Sequence, residues 1–126
     1  MDAKSVVLAY WEAMNSNDFH QASTYLSIDF EGFWPQSNEL TCGRDNFSAI
    51  NSAYPSNGQW SFIINSLICE GERVVTDVSV SDGVQKERAI TFHTVKNGLI
   101  TRQTEFWPDA MEPQPWRSDW VTITES

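Results

Sequence analysis

Residues 72–107 read ERVVTDVSVSDGVQKERAITFHTVKNGLITRQTEFW, and the reading of this stretch decides the fold. Two dipeptides, Asp82-Gly83 and Asn97-Gly98, stand between runs that alternate or are rich in β-branched residues. Asp-Gly or Asn-Gly in that setting is the strongest short-range hairpin signal, because both turn positions need positive φ. The pattern predicts three antiparallel strands, 72–81, 85–96 and 99–107. Two-residue turns would set Asp77 opposite Arg88, Arg88 opposite Trp107, and Ile90 opposite Glu105. Side chains alternate across a strand. Asp77, Arg88 and Glu105 therefore share a face with Val75, Ser79, Phe92, Gln103 and Trp107. Glu105 would lie diagonal to Arg88, about 7–8 Å away at Cα and within reach of long side chains. The other face carries Val74, Val78, Ala89, His93, Val95, Ile100 and Phe106, is mostly apolar, and suits a dimer interface. A single bulge would move everything beyond it to the opposite face.

Upstream, Val6, Val7, Tyr10, Trp11 and Met14 recur at helical spacing over 3–14, with Asp2 placed as N-cap. Asp18 and Gln21 hold capping-box positions for a second helix, 18–26, with Phe19, Ala22 and Leu26 inward. Ile28 to Trp34 alternates and stops before Pro35, as a short strand does. Residues 36–42 read as polar loop, and a third helix occupies 43–54 with Phe47, Ile50 and Tyr54 inward. Residues 59–70 form a strand apolar on both faces, so the sheet needs cover on both sides. Helices supply one cover and a second copy of the chain the other. A tail, 108–126, carries Trp116 and Trp120. The sum is one α+β domain over 1–126: a curved antiparallel (mixed) sheet with the three N-terminal helices on one face.

Composition narrows the function. The 126 residues carry a net charge of −9 at a pI near 4.4. Nucleic acid and anionic membranes attract clustered Lys and Arg, so neither is an expected partner. No apolar run approaches the roughly 20 residues of a membrane helix. The N-terminus lacks a basic segment followed by an apolar one, and the two cysteines, Cys42 and Cys69, read as free thiols. A cytoplasmic location is expected. Six Trp, seven Phe and three Tyr imply an aromatic-lined interior or interface. No His, Cys or carboxylate spacing suggests a metal site.

The element order, the first-helix run Ala9-Tyr10-Trp11-Glu12-Ala13-Met14-Asn15-Ser16-Asn17-Asp18, and Asn97-Gly98-Leu99-Ile100 followed by Glu105-Phe106-Trp107-Pro108-Asp109 resemble the nuclear transport factor 2-like superfamily. Within it they resemble the SnoaL-like group of small bacterial proteins, relatives of polyketide cyclases and ketosteroid isomerases. The resemblance covers nearly the whole chain. It implies a cone: a curved sheet wrapped round a deep pocket closed by three helices, commonly dimerising through the outer sheet face. It implies no cofactor. Against ketosteroid isomerase, Tyr10 matches the oxyanion-hole tyrosine. The general-base aspartate falls at Trp34 and the second oxyanion-hole acid at Phe92, so that activity is not expected. An acid on the last strand, of cyclase type, would correspond to Glu105.

These readings place Glu105, Asp77, Arg88 and Tyr10 as candidate catalytic residues. Tyr10 and Arg88 would stabilise an oxyanion, and Glu105 or Asp77 would move protons. Trp34, Tyr54, Phe92, Gln103, Trp107 and Met14 would line the ligand. The competing reading of Asp77, Arg88 and Glu105 is a structural ion-pair network. The expected partner is a small, partly apolar, oxygen-bearing molecule, bound with cofactor-independent isomerase, cyclase, hydrolase or dehydratase chemistry. A non-catalytic binding module and a protein-interaction domain are the alternatives. A homodimer through the outer sheet face completes the expectations.

Overall fold

In the computed structural model, which describes residues 1–124, Asp2 caps the first helix. Its carboxylate accepts the Ser5 amide at 2.8 Å, satisfying one of the donors a helix start leaves free. Helix α1 runs Ala3–Asn15 and buries Val6, Val7, Tyr10, Trp11, Ala13 and Met14. Asp18 caps α2, Phe19–Ser23, by accepting the Gln21 amide at 3.0 Å. Strand β1 (Leu26–Trp34) turns into β2 (Glu39–Cys42), and α3 (Arg44–Ala53) follows. Strands β3 (Ser61–Glu70), β4 (Arg73–Ser81), β5 (Lys86–Lys96) and β6 (Leu99–Phe106) complete the sheet, and a 3-10 turn occupies Pro115–Trp120. The last two positions of the tail lie outside the described residues.

Six strands form one mixed, open sheet in the order β2-β1-β6-β5-β4-β3, with β1 and β6 parallel and every other pair antiparallel. Residues 39–42, expected as loop, pair with β1. The second helix is shorter than expected because Leu26 and Ser27 already belong to β1.

Two register findings decide which side chains point inward. The first hairpin does not close on Asp82-Gly83. Ser81 pairs with Lys86, so four residues, Asp82 to Gln85, form the loop. Asp82 is the cause. Its carboxylate accepts the Val84, Gln85 and Asn57 amides at 2.9, 2.7 and 2.8 Å. Asp77 now faces Ile90 and Arg88 faces Ser79. This two-residue shift keeps each side chain on its face.

The second hairpin does turn on Asn97-Gly98, with Val95 opposite Ile100. The register then slips by one, and Thr94 faces Arg102. Thr101 is the extra residue, a β-bulge that reverses the facing of everything after it. β3 slips likewise between Ile64 and Ser66.

The inward face is the one read from sequence as the dimer surface. Val74, Thr76, Val78, Val80, Ala89, Thr91, His93 and Val95 are all buried. The physical reason is simple. α1 lays Val6, Val7, Tyr10 and Trp11 on the sheet, and only an apolar face can receive them without stranding charge. The face with Asp77 and Arg88 is the outer one.

Candidate functional site

The helices and the inner sheet face enclose a cavity of about 280 Å³. Its wall is aromatic: Tyr10 and Trp11 from α1, Phe19 from α2, Phe30, Phe33 and Trp34 from β1, Phe47 from α3, Tyr54 and Trp60 before β3, Phe62 from β3, and Trp107 after β6. Met14, Gln103 and Glu105 also line it.

Glu105 is the polar centre. The Thr101 bulge turns it inward, opposite Thr91, whose hydroxyl donates to Oε2 at 2.6 Å. The indole N–H groups of Trp34 and Trp107 donate to Oε1 at 3.2 and 3.1 Å. Gln36 fixes the Trp107 backbone from across the sheet, accepting its N–H at 2.6 Å and donating to its carbonyl at 3.0 Å. Glu105 keeps some accessible surface, but that surface opens on the cavity rather than on bulk water. Burial therefore raises the carboxyl above its ordinary range, and the three donors partly oppose the rise. A carboxylate has about four acceptor sites. Three are used by the protein, leaving one for the cavity.

Behind Glu105 lies a buried polar track. Trp11 donates its indole N–H to Thr76 Oγ1 at 3.2 Å, Thr76 Oγ1 meets His93 Nε2 at 2.9 Å, and His93 Nδ1 meets Gln103 Nε2 at 3.1 Å. Burial holds the imidazole at a pKa of about 3, so it is neutral. Tyr10, at 2% exposure, packs edge-on against His93 with ring centroids 6.0 Å apart. Burial pushes its phenol far above the ordinary range, the Glu105 charge adds to this, and the Gln103 amide opposes it. Tyr10, Gln103 and Glu105 thus face one space.

The ten residues singled out from sequence divide cleanly. Tyr10, Met14, Trp34, Tyr54, Gln103, Glu105 and Trp107 line the cavity, with Tyr54 53% exposed toward its open end. Asp77, Arg88 and Phe92 do not. Asp77 and Arg88 form an ion pair on the outer face, closed by Arg88 Nε to Asp77 Oδ1 and by Nη2 to Oδ2 at 2.7 Å. Each group stabilises the charge of the other, lowering the Asp77 carboxyl and raising the Arg88 guanidinium. Arg88 cannot hold a ligand oxygen in the cavity, because alternation sends it away from α1. Phe92 stacks edge-on against Phe106 on that outer face, at 6.2 Å. The inward neighbours of Phe92 are Thr91 and His93. His93 was read as outward, and Thr91 and Thr76 carried no signal. The alternation of apolar residues on their face was the signal available. Among the described residues no group of three or more His, Cys, Asp or Glu is placed to hold a metal ion. Cys42 and Cys69 are free and exposed.

Known structures share this architecture. A Kribbella flavida DSM 17836 protein, proposed to be a ketosteroid isomerase, superposes with a TM-score of 0.90 at 27% identity, over 98% of this chain and 90% of that one. An NTF-2-like protein of unknown function from Burkholderia xenovorans LB400 gives 0.81 at 26% identity, over 98% and 95%. A Jannaschia sp. CCS1 protein, proposed as a SnoaL-like polyketide cyclase, gives 0.70 at 15% identity over 83% and 84%, a likeness of fold alone. Comparison with curated proteins finds no match. Residues 7–103 match the SnoaL-like domain, and the chain belongs to that family.

Proposed function

We propose that the cavity binds a small, mostly apolar molecule and that Glu105 transfers a proton to or from it without a cofactor. One observation carries this reading: the Glu105 carboxylate, held by three donors, stands within an aromatic cavity with one acceptor site left over. Burial moves the carboxyl upward, the direction a general base working near neutral pH needs. The Tyr10 hydroxyl, held by the Gln103 amide, faces the same space and is the donor available to an oxygen on the substrate.

The test is proton exchange at carbon. Cyclohex-2-enone and 1-tetralone incubated in D2O with the protein should gain deuterium beside the carbonyl faster than in buffer, followed by proton NMR. Glu105→Gln should lower that rate by roughly 10²–10⁴-fold, the usual contribution of a general base. Exchange at the buffer rate with both ketones, or an undiminished rate in the variant, would refute proton transfer and leave a binding module. We also infer that a second copy covers the outer face, where Ile63 and Ile68 are 61% and 65% exposed beside Ile90, Phe92 and Phe106.

A further inference from the structure

We propose that the occupant of the cavity is an organic cation, an amine with an apolar body whose charged nitrogen lies against Glu105. The inference rests on the cavity being a ligand site and is independent of whether Glu105 also moves a proton.

The charge of the wall carries it. Three carboxylates line the cavity, Glu105 within and the exposed Glu87 and Asp109 at its open end. Among the described residues that line it there is no Lys, Arg or His. Three of the arginines are engaged elsewhere: Arg88 with Asp77, Arg102 with Glu31, and Arg44 with the Leu26 carbonyl at 2.7 Å. His93 stands behind the wall and is neutral. A carboxylate enclosed without a counter-charge is costly, and the cost is relieved by a proton or by a cation. An anionic ligand would add like charge where screening by water is weakest.

Two further features select an amine over a metal ion or a sugar hydroxyl. Eleven of the 22 lining residues are aromatic, and aromatic faces attract organic cations while also burying their carbon. Glu105 offers one remaining acceptor site, which a protonated tertiary amine, with a single N–H, satisfies in full. The Tyr10 side chain, 2% exposed, stands at the cavity wall with its hydroxyl against the Gln103 amide.

Three ligands of equal size and different charge test this: N,N-dimethylbenzylamine, 2-phenylacetamide and phenylacetate. Each carries three heavy atoms beyond the benzyl carbon. Affinities are read by titration of the full chain, and the Trp34 and Trp107 indole N–H signals report occupancy in nitrogen–proton NMR. The amine should bind at least about tenfold more tightly than the amide, and phenylacetate more weakly than either. Glu105→Gln should bring amine and amide within about twofold. Equal affinity for amine and amide in the native protein, tighter binding of phenylacetate, or an amine preference that survives Glu105→Gln would overturn the proposal while leaving the ligand site standing. If none of the three binds or moves the indole signals, both the cation and the ligand-site reading fall.

Discussion

His93 is fully buried between Tyr10 and Trp11 of α1, Thr76 of β4 and Gln103 of β6, and Tyr10 is the one other titratable group in that set. Its pKa of about 3 in the fold lies below its ordinary value of 6.5. Between those values the unfolded chain binds a proton that the folded one refuses, so stability falls as pH drops below about 6.5. The slope from this residue approaches about 1.4 kcal/mol per pH unit. Glu105 works the other way, since a carboxyl raised in the fold gains stability as it is protonated. Comparing variants at each pH cancels that term. Urea unfolding at pH 6.5, 5.5 and 4.5 should show that His93→Gln, although less stable at pH 6.5, loses less on acidification than the native chain. Parallel losses would show that His93 is not the group involved. Asp77 and Arg88, with the Arg88 side chain 51% exposed, make a surface pair of the kind worth little.

At the scale of elements, one residue controls the site. Were Thr101 paired with Thr94 instead of bulged, β6 would keep the register set by Asn97-Gly98 and present Arg102, Thr104 and Phe106 to α1. Glu105 would face outward, its three donors would be left unpaired, and a guanidinium would enter the core. Deleting Thr101 itself closes the bulge and leaves Gln103 opposite His93 and Glu105 opposite Thr91, so the variant should keep the Trp107 indole signal and lose only an ordinary amount, about 0.5–3 kcal/mol by denaturant unfolding. A deletion variant whose Trp107 indole signal is lost, or which fails to fold, would show that Thr101 is not simply the extra residue of the strand. Asp82 plays a comparable part in the loop before β5. It gathers amides from Asn57, Val84 and Gln85, which hold its carboxyl well below the usual range. That cluster ties the loop to the segment between α3 and β3, beside the open end of the cavity.

For the whole molecule, the two faces of the sheet divide the work. The inner face meets α1 and frames the cavity. The outer face sets Val75, Ile90, Phe92 and Phe106 beside Ile63 and Ile68. Apolar clusters of that kind on a sheet mark interaction surfaces. Sedimentation should give a species of twice 14.3 kDa, and Ile63→Glu with Ile68→Glu should return it to the single chain while leaving the fold intact. A native chain sedimenting at 14.3 kDa at micromolar concentration would refute the self-association.

The sequence by itself determined a good deal. Helix caps at Asp2 and Asp18, the α1 stripe, the Asn97-Gly98 turn and the β-periodicity of 72–107 are local, set by hydrogen bonds and sterics within a few residues. They sufficed for an α+β domain with helices on one face; the cone and its pocket were what the resemblance implied, and seven of the ten residues placed there line the cavity. What sequence could not carry was facing. Alternation sorts side chains into two sets without saying which set is inside, and charge on Asp77 and Arg88 suggested the wrong one. That choice belongs to α1, whose buried Val6, Val7, Tyr10 and Trp11 need an apolar floor. The bulge at Thr101 left no mark in the local pattern and is seen only where β6 pairs with β5. Tertiary packing therefore decided that Glu105 and Gln103 meet Tyr10, while Asp77 and Arg88 pair outside. The cost of burying an unpaired charge is paid only once the layers close.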